Sequence, residues 1–239
     1  MTNAGRDPRV GAMDVDPRSL SASDRYKILA GCVTPRPIAF VSSLSPAGQV
    51  NLAPFSFFNG VGADPMVLVF SPLTMRDGDK DTLRNVAPPA EGGTGEMVVH
   101  VAVESYFREM AACAEDLPYG ESELDMVGLS AAPSKVVKPP RLLEAPVAFE
   151  CRTLQIVRTN PGKPMAGNLV IAEVVHVWLA DGLANDRWHV DQDALHTVGR
   201  LGGPSYCLTR DRFDFVRGKD ALSAPLPFGR DDENEEDGE

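Results

Sequence analysis

The residues whose types and spacing are best suited to bind a ligand lie between Thr34 and Thr82. Two apolar segments carry an arginine, a serine pair and an asparagine, and a predicted helix start with Lys80 and Thr82 follows them. A lysine ammonium, a hydroxyl and the free N–H groups of a first helical turn are donors that bind phosphate, and Arg76 adds a planar set of donors. The plain structural alternative is a capped surface helix with a lysine in its first turn. Together these residues can form a phosphate and ring site, but taken alone the pattern favours the plain alternative.

Motifs for other chemistries are incomplete. Residues 60–65 begin like the dinucleotide motif GxGxxG but end in a proline, and no β-α unit surrounds them. Residues 92–95 lack the GK[ST] ending of a phosphate-binding P-loop, and the four histidines form no HExxH pair. No GxSxG segment is present. These absences exclude a Rossmann site and leave a hydrolase without support.

One mixed cluster is compatible with a metal. His189, Asp191, Asp193 and His196 supply nitrogen and oxygen ligands that suit several divalent ions. The alternative is a polar turn and a short helix capped by Asp191, with His196 facing solvent or a partner. We favour the second interpretation and predict no metal site.

Composition narrows the class of protein. The 239 residues include 21 glycines, 20 prolines and only 7% aromatics, which favours short strands and turns over long helices. The net charge is −11, but residues 230–239 hold seven of the acids and one base, so 22 basic and 27 acidic residues remain. This mildly acidic body has no basic stripe for nucleic acid, and the acidic end predicts a disordered tail.

Cysteine usage and the N-terminus indicate the compartment. The four cysteines are scattered without a CxxC pair, which predicts reduced thiols. The N-terminus has charges and prolines where a signal peptide is apolar, and no run of eighteen apolar residues occurs. We therefore expect a cytoplasmic protein with no membrane partner.

The first half of the chain predicts a β-hairpin followed by a short helix. We expect a helix over residues 23–29, strands over 34–43 and 50–57 joined by a turn at 45–48, and a loop over 59–65. An apolar run at 66–71 predicts a buried strand. Residues 79–86 predict a helix with an aspartate as its cap and prolines 88 and 89 as its stop.

The second half adds strands with one change of phase. We expect a strand over 96–103 and an amphipathic helix over 106–114 with Ser105 as its cap. Alternation over 147–156 shifts near Arg152 or Thr153, which indicates a β-bulge, and strands follow at 169–179 and 205–209. The predicted fold is mainly β with short helices (α+β), with a largely antiparallel sheet closed into a barrel. One domain spans 23–229, between a flexible extension (1–22) and the tail (230–239).

Five segments in order resemble one protein family. TPRPIAFVSS (34–43), NLAPFSFFN (51–59), DP with VLVFSP (64–72), DKDTLRN (79–85) and RLGGPSY (200–206) look like the successive motifs of the flavin reductase-like family of FMN-binding split-barrel proteins. The match extends over residues 23–215. It implies a split β-barrel that binds FMN non-covalently, as a homodimer with each flavin near the interface.

The resemblance also implies which residues surround FMN. Those expected at the ring and ribityl chain are Arg36, Pro37, Ile38, Ser42, Ser43, Asn51, Ala53, Pro54, Phe55 and Ser56. Those expected at the phosphate are Ser71, Arg76, Lys80, Asp81 and Thr82, and possible gating residues are His196 and Tyr206. Structural alternatives remain: Phe55 can fill the barrel, Pro37 and Pro54 can mark strand edges, Asp81 can cap its helix, Arg36 can pair with an acid, and Asn51 can hold a turn.

The function implied is an FMN-dependent NAD(P)H oxidoreductase of the flavin reductase type. It would pass electrons to free flavin or to a partner oxygenase, and no catalytic side chain is required because the flavin carries the chemistry. One alternative is an FMN-binding electron carrier or flavin holder similar to flavoredoxins. Another is a barrel that has lost its flavin and serves as an interaction module, against which the intact phosphate-site motif argues.

Overall fold

The apolar, β-branched segments pair into one antiparallel sheet of seven strands. A computed structural model describes residues 13–118 and 120–228. The strands are β1 (Ala39–Leu44), β2 (Val50–Phe55), β3 (Phe58–Ala63), β4 (Met66–Phe70), β5 (Glu96–Val101), β6 (Ala131–Ala132), β7 (Arg141–Leu142), β8 (Val147–Arg158), β9 (Asn168–Leu179), β10 (Val198–Arg200) and β11 (Tyr206–Leu208). The large sheet has the order β2-β1-β5-β8-β9-β4-β3, and β6-β7 and β10-β11 form two small antiparallel pairs.

The helices are short and lie between the strands. They are α1 (Ala22–Cys32), α2 (Asp81–Val86), α3 (Phe107–Ala112), α4 (Glu123–Val127) and α5 (Gln192–Leu195). Four 3-10 turns cover Pro17–Ser19, Pro89–Glu91, Glu104–Tyr106 and Gly218–Leu222. Only α1 exceeds six residues, so packing against the sheet, more than helix propensity, must hold the other four in place.

Two large cores lie on opposite faces of the curled sheet, and a small third cluster contains Val98, Val137 and Ala148. The inner core contains alternate residues of six strands together with Leu83 and Val86 of α2. Phe55 of β2 and Phe70 of β4 meet there with ring centroids 5.4 Å apart, although their strands are not neighbours in the sheet. The outer core packs Phe40 and other residues of the sheet against α3 and α4. The prediction of a mainly β, largely antiparallel barrel with short helices is confirmed.

The loop predicted over residues 59–65 is wrong, because most of it is β3. Gly60 and Gly62 favour a turn on propensity alone, but β3 pairs along β4 from Phe58 to Ala63, with a register shift between the two glycines. Its residues are mostly exposed at the edge of the sheet. Backbone pairing with β4 therefore outweighs the weak strand propensity of glycine.

Three other predictions about the strands and helices need correction, and the predicted bulge is confirmed. The strand predicted from residue 34 begins at Ala39, since the two prolines before it cannot donate to a ladder. Ser105 does not cap α3, whose N-cap is Tyr106 without a side-chain bond. The bulge in β8 is confirmed by a register shift between Thr153 and Gln155, with a second between Glu150 and Cys151. Leu154 is half exposed, although the phase change predicted in this strand turns it toward the core.

Parts of the predicted terminal segments are outside the described residues. This holds for residues 1–12 of the extension and for the acidic tail at 230–239. Residues 17–19 of the predicted extension form a 3-10 turn, and α1 begins at Ala22. Within the described part of the chain, each helix is too short or too polar to cross a membrane.

Candidate functional site

A groove between β2, α2 and the segment 113–118 collects seven of the predicted site residues. It has a volume of about 360 Å³, and we call it the α2 groove. The predicted residues in its lining are Asn51, Ala53, Pro54, Phe55, Lys80, Asp81 and Thr82. Asn51, Ala53 and Phe55 occupy alternate positions of β2 and thus share one face, which turns toward α2. Two of the five motifs that resemble the family, NLAPFSFFN (51–59) and DKDTLRN (79–85), therefore meet in space.

A buried hydrogen-bond network forms the polar wall of this groove. The Asn51 Nδ2 group donates to both carboxylate oxygens of Glu123, at 2.9 and 3.0 Å, and the Leu52 N–H donates to Oε2 at 2.9 Å. The Asn51 Oδ1 atom accepts from the Thr82 hydroxyl at 2.6 Å and from the Ser43 hydroxyl at 3.3 Å. These side chains are all less than a tenth exposed. Ser43, Asn51 and Thr82 therefore hold β2 against α2.

The network contains one unsatisfied acceptor. Asn85 donates from Nδ2 to the Ser43 hydroxyl at 3.1 Å, while its buried Oδ1 atom has no partner among the described residues. A cavity of about 10 Å³ lies beside Asn85, Asn51 and Asp81, which is the space of about one water.

Acidic side chains outnumber basic ones in the lining of the α2 groove. Its lining has six carboxyl groups, from Asp77, Asp79, Asp81, Glu115, Asp116 and Glu123, and two cations, Lys80 and Arg84. Burial raises the pKa of Asp81 above its usual value, although Arg84 and Lys80 oppose this. Burial also raises the pKa of Glu123, against the hydrogen bonds that it accepts. An anion entering this groove therefore needs a local cation.

Lys80 is the cation placed to meet such an anion. It is the N-cap residue of α2 and makes no capping bond, so the aspartate cap predicted for this helix is wrong. Asp79 pairs instead with Arg158 at 2.9 Å, and Asp81 lies inside the first turn, 3.7 Å from Arg84. The Lys80 ammonium donates to Asp116 at 3.1 Å, and both side chains remain accessible. Because α2 has only six residues, we assign the attraction for an anion mainly to this ammonium.

The segment that precedes β1 lies away from the groove. Arg36 is buried, and its guanidinium donates to the carbonyls of Ala30, Val33 and Leu201 and to the Ser56 hydroxyl. The partners of Arg36 are therefore backbone and hydroxyl oxygens rather than the acid that we considered. Ile38 packs in the outer core and Pro37 is exposed. The Ser42 hydroxyl donates to the Pro140 carbonyl.

Ser71 and Arg76 do not line the α2 groove. Ser71 lines a second cavity, of about 480 Å³, between α1, Phe57 and the loop 159–167, which we call the α1 cavity. Arg76 is exposed on the turn where the Met75 N–H bonds the Gly78 carbonyl. The five residues expected around the phosphate are thus split: three line the α2 groove, one lines the α1 cavity and one lies on a surface turn.

His196 and Tyr206 occupy a third region. Tyr206 lies between the Arg200 guanidinium, 4.3 Å from its ring centroid, and the Phe107 ring, 4.8 Å between centroids. The His196 Nδ1 atom lies 3.9 Å from Glu104 and has no hydrogen-bond partner among the described residues. The Glu104 carboxylate accepts from Arg210. Neither residue lines the α2 groove.

The mixed His and Asp cluster has other roles. Asp191 caps α5 by accepting from the N–H groups of Asp193 and Ala194, which confirms the predicted cap. Asp193 pairs with Arg212 at 2.7 Å. Among residues 13–118 and 120–228, no three His, Cys, Asp or Glu side chains converge as a metal site would require.

Sequence reasoning missed Glu123 and Asp116. Both belong to the proline-interrupted connection after α3, where acids outnumber bases and no motif marks any one of them. Glu123 is buried because α4 packs on β2, and this packing depends on the tertiary fold. No signal in the sequence could have identified either residue.

The comparisons with known proteins decide the family. The profile described as the flavin reductase like domain matches residues 30–199. The chain belongs to the flavin reductase-like family. The family match spans the inner barrel and the α2 groove, including every strand from β1 to β9. This family binds flavin.

Solved structures agree with that assignment. Nitrilotriacetate monooxygenase component B from Bacillus cereus has a TM-score of 0.80 and 31% identity, over 86% of this chain and all of that one. The 2-nitrobenzoate 2-nitroreductase from Pseudomonas fluorescens has a TM-score of 0.75 and 30% identity, over 90% of this chain and all of that one. A split-barrel domain protein from Shewanella frigidimarina has a TM-score of 0.69 at 16% identity, over 87% of this chain and all of that one, and shows the fold alone.

Proposed function

We propose that this member of the flavin reductase-like family binds FMN in the α2 groove and oxidises NAD(P)H. The observation that carries the proposal is the meeting of Lys80 and Thr82 with the β2 face of Asn51, Ala53 and Phe55 in one groove. The Lys80 ammonium fits a phosphate, and the small apolar surface of Ala53, Pro54 and Met75 fits a flat ring. FMN, when bound, supplies the hydride and electron chemistry.

The chain's own residues would bind and orient the cofactor. Lys80 would hold the phosphate, while Asn51, Thr82 and Glu123 keep the groove wall rigid through their mutual hydrogen bonds. We also propose a homodimer with the flavin near its interface. The electron acceptor would be free flavin or a partner oxygenase, which the similarity to component B of a nitrilotriacetate monooxygenase supports.

A flavoredoxin-like electron carrier is the second candidate. The α2 groove supports it equally, because a carrier needs the same cofactor site but no rapid turnover with a nicotinamide. The similarity to a nitroreductase favours the enzyme over the carrier.

The deciding experiment begins with the visible spectrum of the purified protein and identification of any released chromophore. We expect flavin absorption, FMN on release, and oxidation of NADH or NADPH faster than free FMN supports. A colourless protein that also fails to take up FMN would overturn the cofactor proposal. A flavoprotein whose rate equals that of free FMN would leave the carrier.

Replacing Lys80 by alanine should weaken FMN binding about tenfold, since one charged hydrogen bond to the phosphate contributes about 1.5 kcal/mol or more. The dissociation constant can be measured by quenching of FMN fluorescence. Lys27→Ala is the matched control, because Lys27 is also an exposed lysine paired with one aspartate, Asp24, at 2.9 Å. Equal affinities of the two variants would refute the placement of the phosphate at Lys80.

Replacing Asp116 by asparagine should have the opposite effect. The Asp116 carboxylate partly neutralises the Lys80 ammonium, so it competes with a phosphate for that charge. We expect Asp116→Asn to tighten FMN binding by about threefold at low ionic strength, since an exposed pair contributes up to about 1 kcal/mol. Titrations at low and high salt test this, with Asp125→Asn of α4 as the control. Unchanged affinity at low salt would contradict the competition.

A further inference from the structure

The α1 cavity differs from the α2 groove in its charge. Its lining includes Arg25 and Lys163 and, within the described residues, no aspartate or glutamate. The Arg25 guanidinium is held by the carbonyls of Pro17 and Leu20, at 3.0 and 2.8 Å, so no described acid neutralises it. An anion near the sheet therefore meets a favourable field in the α1 cavity and an unfavourable one over most of the α2 groove.

A third cation lies behind the aromatic wall of the cavity. The Arg36 guanidinium lies 5.6 Å from the centroid of the Phe57 ring, and its hydrogen bonds go to carbonyl and hydroxyl oxygens. Its charge is thus also left without a described acid partner. The positive field in the cavity therefore comes from Arg36 as well as from Arg25 and Lys163.

The remaining lining is apolar and partly aromatic. Tyr26 and Phe57 form an edge-to-face pair with centroids 6.1 Å apart, and Leu29, Leu73 and Met165 complete the apolar surface. The volume of about 480 Å³ is within the range of small-molecule sites. Flat aromatic rings pack favourably on such edge-to-face surfaces.

The cavity and the groove share one wall. Leu73 lines the α1 cavity and Met75 lines the α2 groove, and Phe57 and Phe55 are divided in the same way. Buried Asn168 holds this wall in place by donating to the Pro72 carbonyl and to the Thr74 hydroxyl, at 3.1 and 3.0 Å. The segment 72–75 therefore borders both the α1 cavity and the α2 groove.

We propose that the α1 cavity binds a small flat carboxylate, that is, an aromatic ring bearing one acid group. The ring packs against Tyr26 and Phe57, and the carboxylate is attracted by Lys163 and Arg25. Use of this ligand as a second substrate beside the flavin rests on the proposed function, whereas binding itself does not.

The test is isothermal titration of the full chain with 2-naphthoate in low salt, without added FMN. We expect binding of 2-naphthoate at least tenfold tighter than that of uncharged 2-naphthamide. Lys163→Gln should weaken naphthoate binding about threefold, as loss of one exposed charge contact predicts, and Phe57→Leu should weaken both probes. Lys219→Gln, an exposed lysine outside the cavity, should bind like the unmodified protein.

Three results would overturn the proposal: no naphthoate binding, equal binding of acid and amide, or equal binding by the Lys163 and Lys219 variants. A parallel titration with FMN separates this outcome from the proposed function. Failure of FMN to bind while naphthoate binds would refute only the flavin site, and the reverse result would refute only the α1 cavity.

Discussion

Asn51→Leu is expected to destabilise the protein by about 4 kcal/mol and to abolish measurable flavin uptake. The substitution removes the side-chain donor of the buried Glu123 carboxylate, and it removes the acceptor of the Thr82 and Ser43 hydroxyls. A buried polar group that loses its partner costs about 1–3 kcal/mol, and more when it is charged, and here a carboxylate and two hydroxyls each lose a partner. The groove wall formed by β2 and α2 should then lose its fixed geometry.

Urea unfolding and FMN titration measure the two effects. Asn59→Leu is the matched control, because Asn59 is exposed on β3 and, among the described residues, its side chain bonds only the Gly60 N–H. The double variant Asn51→Leu with Glu123→Leu should recover part of the lost stability, since replacing both partners by apolar groups is less costly than replacing one. A cost within 1 kcal/mol of the control would show that the network contributes little.

Lowering the pH from 6.5 to 4 should remove about 3 kcal/mol of stability through His100 alone. This imidazole is fully buried, with Nδ1 2.9 Å from the Phe40 carbonyl and Nε2 accepting from the Leu142 N–H at 2.9 Å. Nδ1 therefore carries the proton of a neutral ring. Burial lowers the pKa of His100 to about 4, an effect that the bond to Phe40 opposes and that nearby Arg141 reinforces.

The direction follows from proton uptake. Between pH 6.5 and 4 the unfolded chain binds a proton at this residue and the folded chain does not, so acid favours unfolding. His100→Gln should lower stability at pH 7 and flatten the decline toward pH 4. Urea unfolding at several pH values tests this against His189→Gln, which changes an exposed histidine. Parallel pH profiles for the two variants would contradict the assignment to His100.

Local sequence signals predicted much of the sheet. The apolar runs of β4 and β9 and the phase change in β8 are properties of a few consecutive residues, and each appears close to where it was expected. The edge strand β3 was missed because its glycines favour a turn, whereas its pairing with β4 is made by backbone hydrogen bonds that do not depend on residue type. The N-cap of α2 was misassigned because Asp79 bonds Arg158, a residue 79 positions away.

In the candidate site too, some residues were predicted from the sequence and others were not. Lys80, Thr82 and the Asn51 strand were recognisable as a motif, and the fold brings them into one groove. Glu123 and Asp116 could not be predicted from the sequence. Glu123 reaches β2 only because α4 packs there, and Asp116 reaches Lys80 of α2 only because the segment 113–118 lies beside that helix. Burial of Ser43, Asn51 and Thr82 in a mutual network was equally beyond a reading of residue types.

By itself, the sequence determined the family, the mainly β class and the location of the phosphate-type motif, since these depend on residue types and on patterns within short segments. Only the tertiary structure decided which members of that motif line the groove, which acids surround them, and that Ser71 belongs to a second, basic cavity. The reason is physical: charge neutralisation, burial and hydrogen-bond partnership are relations between residues far apart in the chain, and the fold alone creates them.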